Sequence, residues 1–76
     1  MTNDNDKETP HLKCDVELDV SGLTDETANK LTAEALRKLA DQIERDELDS
    51  GFHDVHDSRG RKVGEVYLDH YEYAEL

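Results

Sequence analysis

Three carboxylates near the start of the chain alternate with apolar residues: Asp15, Glu17 and Asp19 are separated by Val16 and Leu18. In a β-strand, alternate side chains point to the same face and lie about 6.6–6.8 Å apart. A rigid row of negative charges can imitate the regular charge of a nucleic-acid backbone, and it then attracts protein surfaces that normally bind DNA or RNA. The chemistry that this spacing indicates is binding to a basic protein.

Further carboxylates and tyrosines occur in the last third of the chain, where acidic residues and tyrosines alternate within one predicted strand. Tyrosines exposed among carboxylates are typical of interface hot spots. Alternatively, the tyrosines cover the back of a sheet or pack in a homodimer. The partner-binding residues that we predict are Asp15, Glu17, Asp19, Asp54, Asp57, Glu65, Tyr67, Asp69 and Tyr71.

The sequence carries no catalytic or cofactor motif. Ser21, Ser50 and Ser58 lie in turn-like segments without a histidine-centred triad, and no glycine-rich phosphate loop is present. His53 and His56 are three residues apart, which on a strand directs their side chains to opposite faces. We therefore expect a protein that is not an enzyme and that has neither a cofactor nor a native metal site.

The charge balance restricts the class of partner. The 76 residues include 20 acidic and 9 basic side chains, which gives a formal net charge of −11. Such a charge repels bare nucleic acid and anionic membranes. We expect a basic, nucleic-acid-binding protein as the partner, with no direct binding to nucleic acid or to a membrane. An alternative stays open: the acidity serves solubility alone in a small structural or dimeric protein, as in halophiles.

A single amphipathic helix is predicted between Leu23 and Leu48. Its apolar residues recur every three or four positions, as one face of an α-helix requires. Thr24 is the predicted N-cap, and Gly51 is expected to close the helix with a positive φ. The predicted apolar stripe consists of Leu31, Ala35, Leu36, Leu39, Ala40 and Ile43.

Strands are predicted on both sides of this helix. From His11 to Val20, apolar and polar residues alternate strictly, with Cys14 among the inward positions. Asp57-Ser58-Arg59-Gly60 is typical of a type I turn, joining a short strand at 52–56 to a longer one at 61–71. The predicted fold is α+β, with the order β-α-β-β and one helix packed on a small three-stranded, mostly antiparallel sheet. The strand order, and the face of the last strand that meets the helix, stay open.

Domain organisation follows from composition. Residues 1–10 are polar and acidic and are predicted to be a disordered tail, whereas residues 11–76 are predicted to form a single α+β domain. A core this small is marginal, so either a monomer of modest stability or a homodimer is expected. The single cysteine excludes an internal disulfide. Together with the absence of an apolar leader, it favours the cytoplasm.

The function we expect is stoichiometric binding, in which a small acidic protein docks on a basic surface and blocks it. Phage-encoded inhibitors of bacterial defence nucleases that mimic DNA share this size, this charge and this lack of catalytic machinery. This analogy rests on general properties only, and no sequence motif is shared.

Overall fold

The computed structural model describes residues 8–74, which form one helix and three strands. In chain order these are β1 (Glu8–Leu18), α1 (Asp25–Glu44), β2 (Gly51–His56) and β3 (Lys62–Ala74). The strands form one antiparallel sheet in the order β1-β3-β2. The predicted α+β fold, with one helix on a three-stranded sheet, is confirmed, and the last strand of the chain is the central one.

The helix begins where the sequence predicts and ends earlier. The backbone N–H of Thr27 donates to Thr24 Oγ1 at 3.1 Å, which confirms Thr24 as the N-cap. At the other end, the N–H groups of Asp46 and Glu47 donate to the carbonyls of Ile43 and Gln42. This is the hydrogen-bond pattern of a Schellman motif, with Asp46 at φ 59° in the left-handed position.

The prediction that Gly51 closes the helix is therefore wrong. Gly51 does have a positive φ, of 124°, but it lies at the first position of β2. A local hydrogen-bonded motif at Asp46 ended the helix before the glycine was reached, because aspartate tolerates the left-handed region better than most residues.

The core lies between α1 and the sheet. Leu31, Ala35 and Leu39 are the buried residues of the helix, and the last two form one cluster with Val55, Val66 and Leu68 of the sheet. The even-numbered residues of β3 therefore face the helix. Two members of the predicted helical stripe, Leu36 and Ala40, are exposed instead.

A β-bulge interrupts the alternation at the start of β3. Val55 pairs with Gly64 and His56 with Lys62, so that Val63 is an extra residue without its own partner on β2. Strict alternation would place Val63 on the face away from the helix, but its side chain is buried in the helix-side core. At Gly64 a Cβ atom would lie only 2.9 Å from Leu18 Cα, so the close approach of β1 requires glycine here.

The first strand starts earlier than composition predicted. Glu8, Thr9 and Pro10, which we assigned to the tail, pair with β3 residues in register. Residues 1–7 lie outside the described part of the chain, so the disorder expected for them stays a prediction. Glu8, Thr9 and Pro10 are in a strand because they pair with the long central strand β3, and local composition cannot predict such pairing.

The helix leaves the apolar side of β1 uncovered. Leu12, Cys14 and Val16 point to the same side as the core but are exposed, with Leu12 and Val16 each 40% accessible. The prediction that Cys14 packs inward is therefore wrong, because α1 lies over β2 and the centre of the sheet and not over β1. Beyond Leu68 there is no β2 partner, and residues 8–13 and 69–74 continue as a two-stranded ribbon.

Candidate protein-binding face

The face of the sheet opposite α1 carries most of the predicted binding residues. In register, Phe52 lies opposite Tyr67, which lies opposite Asp15 on the other side of β3. Side chains directly opposite each other in an antiparallel sheet share a face and come within contact distance. We call this surface the open face and define it by Asp15, Glu17, Phe52, Asp54, Glu65, Tyr67, Asp69 and Tyr71.

A second row crosses the sheet beside the first. Asp54 lies opposite Glu65, and Glu65 lies opposite Glu17, so three carboxylates from three strands line up. Adjacent strands are about 4.8 Å apart. The sequence shows the spacing of acidic residues along one strand, whereas this row across strands exists only because β3 is central.

The most exposed apolar residue of β2 is also on this face. Phe52 is 72% accessible, and its ring centroid lies 4.8 Å from that of Tyr67 with an interplanar angle of 46°. A phenylalanine exposed beside a tyrosine is typical of protein interfaces. We did not predict Phe52 as a site residue. Strand alternation could have found it, since Phe52 and Asp54 have the parity opposite to that of buried Val55.

A depression of about 150 Å³ lies between the aromatic pair and the carboxylates of Asp15, Glu17 and Glu65. Aromatic faces attract cations, and carboxylates form charge-assisted hydrogen bonds with guanidinium and ammonium groups. The depression therefore suits a lysine or arginine side chain, the kind of group that a nucleic-acid-binding surface presents.

Lys62 partly neutralises one end of the carboxylate row. Its Nζ lies 3.2 Å from Asp54 Oδ1 and 3.3 Å from Glu65 Oε2. Hydrogen bonds to Asp54 and Glu65, with their charges, raise the pKa of Lys62 above its usual value. Among residues 8–74, Asp15 and Glu17 form no ion pair within 4.0 Å. Their charges are therefore not neutralised by a basic side chain within this distance in the described part of the chain.

The open face continues along the ribbon with Asp69 and Tyr71. Asp69 lies opposite Lys13, and Tyr71 stacks on His11 with ring centroids 5.1 Å apart and planes 12° from parallel. Tyr71 is exposed. It is four residues further along β3 than Tyr67, about 13 Å away at the rise of a strand. The two predicted tyrosines therefore lie on the same face of the sheet but are too far apart to form one patch.

Asp19 follows directly after β1. Its backbone N–H donates to the carbonyl oxygen of Val63 at 2.7 Å, which holds it beside the bulge. The exposed carboxylate lies on the rim of an open groove shared with Glu17, Lys62 and Glu65. Asp19 therefore lies just beyond the acidic row of β1, beside the same groove as Glu17.

Asp57 lies away from this face and is buried, with 4% of its surface accessible. Its Oδ1 accepts backbone N–H groups from Arg59 and Arg61 at 2.8 and 3.0 Å, and its Oδ2 accepts the Arg59 guanidinium at 2.6 and 2.8 Å. The same guanidinium donates to the carbonyl of Ser21 at 3.0 Å, so the turn is tied to the segment before α1. We therefore exclude Asp57 from the binding face.

Burial alone would raise the pKa of the Asp57 carboxyl. The hydrogen bonds from the Arg59 side chain and from the backbone of Arg61 and Arg59 outweigh burial, and they hold this pKa below its usual value. The Gly60 N–H donates to the Asp57 carbonyl at 3.0 Å, which confirms the predicted turn. Aspartate at the first position of this turn is therefore structural, because its carboxylate binds the backbone and side chain of the turn residues.

The described residues contain neither a cluster suited to a metal ion nor a helix suited to a membrane. Within the described residues, no group of three or more His, Cys, Asp or Glu side chains is placed to hold a metal ion. His53 Nε2 lies 2.6 Å from the carbonyl oxygen of Asp49. In the same part of the chain, no helix has the length and apolar character needed to cross a membrane.

Comparison with protein-family models, with curated proteins and with solved structures finds no match to this chain. The class of protein that the fold defines is a small α+β domain with one helix on a three-stranded antiparallel sheet.

Proposed function

We propose that this chain is a stoichiometric binding protein, which docks its open face on the basic, nucleic-acid-binding surface of another protein and blocks that surface. The observation that carries the proposal is the meeting of carboxylates from three strands with an aromatic pair, in which Phe52 is exposed and Tyr67 is half-buried. Such a face provides charge complementarity for steering and an apolar contact for retention. The action requires no catalytic group, cofactor or metal.

The geometry favours a partner that normally binds a nucleic acid. Asp15 and Glu17 alternate along β1, and Asp19 follows directly after its last residue. The rise of a strand sets alternate residues about 6.6–6.8 Å apart, close to the distance between successive phosphates of an extended nucleic-acid strand. Protein side chains that contact consecutive phosphates would find carboxylates at a comparable spacing. A bacterial defence nuclease, inhibited by a phage-type mimic of its substrate in the cytoplasm, is the particular partner that we propose.

Capture followed by competition tests this proposal. The immobilised chain is exposed to a nuclease-treated bacterial lysate, and each captured protein is purified and bound again in the presence of a 20-base-pair DNA duplex or an RNA of equal length. We expect a captured protein to be displaced by nucleic acid, and its binding to weaken steeply as salt rises. A captured nuclease should also lose cleavage activity at a 1:1 ratio.

Matched variants assign the interaction to the open face. The double reversal Asp15→Lys with Glu17→Lys should abolish capture, and so should Phe52→Ala combined with Tyr67→Ala. The control reversal Asp41→Lys with Glu44→Lys changes the net charge by the same amount on α1 and should leave capture intact. Equal loss with both reversals would mean that net charge alone drives binding. Capture that survives the open-face variants, or that nucleic acid does not displace, would overturn the proposal.

A further inference from the structure

We propose that a second copy of this chain pairs with the free edge of β1, which would give a two-fold symmetric dimer with a continuous six-stranded sheet. β1 is an edge strand of the three-stranded sheet, and it is 11 residues long. A long edge strand presents unpaired backbone groups that readily pair with another strand. The inference does not rest on the proposed function: the strands would pair through their edges and leave the open face accessible, and of the proposed binding residues only those on β1, Asp15 among them, would also contact the second copy.

The hydrogen-bonding phase of β1 identifies the residues that face the free edge. The N–H of Asp19 donates to the carbonyl oxygen of Val63, and these two residues continue the register in which Leu18 pairs with Gly64. Bonded pairs alternate along an antiparallel ladder. The odd-numbered residues of β1 therefore bond to β3, and the backbone groups of Leu12, Cys14 and Val16 point outward, ready to bond with another strand.

The sequence of β1 is complementary to itself in one antiparallel register. With the two-fold axis at Cys14, Lys13 of each copy lies opposite Asp15 of the other, on the open face. On the opposite face, Leu12 lies opposite Val16. Cross-strand pairs of opposite charge and of apolar residues are each stabilising.

Neighbouring registers bring like charges together. Moving the axis by one position to Lys13 places the two lysines directly opposite each other. Moving it the other way, to Asp15, places the two aspartates opposite each other, although it also sets Lys13 opposite Glu17. An axis at Val16 sets Asp15 against Glu17, and an axis at Leu12 loses the pairing of Lys13 with a carboxylate. Directly opposed like charges destabilise a strand pair. Of these registers, only the one centred on Cys14 pairs Lys13 with a carboxylate without setting like charges against each other.

The uncovered apolar surface lies at the same edge. Leu12 and Val16 are each 40% accessible, and Leu36 of α1 is 43% accessible. Glu34 accepts a hydrogen bond from Ser58, and Lys38 lies beside Asp54 and His56, so this flank of the helix faces β2 and the following turn. At 3.6 residues per turn, Leu36 is on the opposite flank of α1, the flank nearer to β1. Pairing two β1 strands would bring these residues from both copies into one apolar core.

The ribbon supplies a separate reason for a second copy. Residues 8–13 and 69–74 form two strands without β2 beside them. An isolated pair of strands is only marginally stable in water. A second β1 beside the first gives this ribbon a third strand along part of its length.

A charge swap across the two-fold axis tests the register. The mass of the wild type and of three variants (Lys13→Asp, Asp15→Lys and the double swap) is measured by sedimentation equilibrium over a range of concentrations. We expect a wild-type dimer of twice the 8.7 kDa chain mass. Each single variant should weaken the dimer about tenfold, because it opposes like charges at two symmetric places, and the double swap should restore it.

Oxidative cross-linking gives a second readout that does not depend on affinity. In the proposed register the two Cys14 Cα atoms lie about 5.5 Å apart, within the range of disulfides. Diamide takes two electrons and two protons from two thiols, which yields one disulfide and the reduced hydrazine. Wild type should give a covalent dimer. The control, Cys14→Ser with Val16→Cys, places its thiols about 14 Å apart and should stay monomeric.

A negative result in either the sedimentation or the cross-linking experiment would rule out the dimer and would leave the proposed function unaffected. A wild type that stays monomeric, a double swap that does not recover, or a control that cross-links as fast as Cys14 would each rule out this pairing. Circular dichroism confirms that every variant is folded. Phe52→Ala with Tyr67→Ala, which removes the aromatic pair of the proposed partner site, should leave the dimer intact, so failures of the two proposals are distinguishable.

Discussion

The ring of Phe52 lies 4.8 Å from the ring of Tyr67, across the β2–β3 pair and on the side of the sheet that α1 does not cover. Neither residue is needed there by the core, which consists of side chains on the other side of the sheet. This separation of the two faces means that binding and stability can be tested by different substitutions.

The first prediction concerns that separation. Phe52→Ala should change the unfolding free energy by less than about 1 kcal/mol, because a residue that is 72% accessible buries little on folding. Val55→Ala, on the same strand but in the core, should cost about 2 kcal/mol. Urea unfolding followed by circular dichroism measures both. If Phe52→Ala were the more destabilising of the two, the open face would be part of the folded core.

A second prediction concerns the pH dependence that Asp57 confers. Its pKa is lowered in the folded state relative to the ordinary value of 3.8. A carboxyl with a depressed folded-state pKa stabilises the fold fully above its unfolded pKa, and this contribution disappears as pH falls through the folded-state pKa. Asp57→Asn should therefore lower the melting temperature at pH 7 by about 5 °C or more.

The gap between wild type and Asp57→Asn should then narrow as pH falls below about 4. Thermal unfolding from pH 7 to pH 2 tests this. Asp41→Asn on the exposed side of α1 serves as the control, and its difference from wild type should be small at every pH. A gap of constant size for Asp57→Asn would mean that its carboxylate charge does not stabilise the turn.

Third, the left-handed residue at the end of α1 offers a stabilising change. Asp46 has a φ of 59°. This conformation is unfavourable for a residue with a Cβ atom but not for glycine. Asp46→Gly should raise the unfolding free energy by about 0.5–1 kcal/mol, and Asp46→Val should lower it. Denaturant titration of the three proteins measures the order. If Asp46→Gly were the least stable, a side-chain interaction of Asp46 would outweigh its backbone conformation.

The fourth prediction concerns the close approach at Gly64. A Cβ at this position would lie 2.9 Å from Leu18 Cα and 2.8 Å from Leu18 Cδ2. Gly64→Ala should therefore force β1 away from β3 and cost about 2 kcal/mol or more. Amide hydrogen exchange should show the loss of protection first at the N–H groups of Glu17 and Asp19, at the end of the β1–β3 pairing. Gly60→Ala, at φ 81° with open space around it, isolates the backbone cost alone.

Much of the architecture follows from local patterns. Alternation over residues 11–20 predicts a strand, the three- and four-residue spacing from Leu31 to Ile43 predicts a helix, and the Asp57 turn predicts a hairpin. Each depends on neighbouring residues whose geometry is set by the period of a strand or a helix. The N-cap at Thr24 is local in the same sense, since its hydroxyl reaches only three residues along the chain.

The binding face could be predicted only in part. Asp15 and Glu17 share a face by alternation alone, but their alignment with Phe52 and Asp54 requires β3 to lie between β1 and β2. No local pattern encodes that order. Asp57 looks like any other surface carboxylate in the sequence, and it is buried only because Arg59 folds back on it in the turn.

The amino-acid order alone thus determined the number and kind of elements, the net charge and the polarity of the two faces of the first strand, because all of these depend on residues close together in the chain. Tertiary packing decided which strand is central, that the bulge turns Val63 into the core, and that α1 leaves Leu12 and Val16 uncovered. These outcomes depend on contacts between residues distant in sequence. Such contacts form only when the whole apolar surface is distributed between one helix and one sheet.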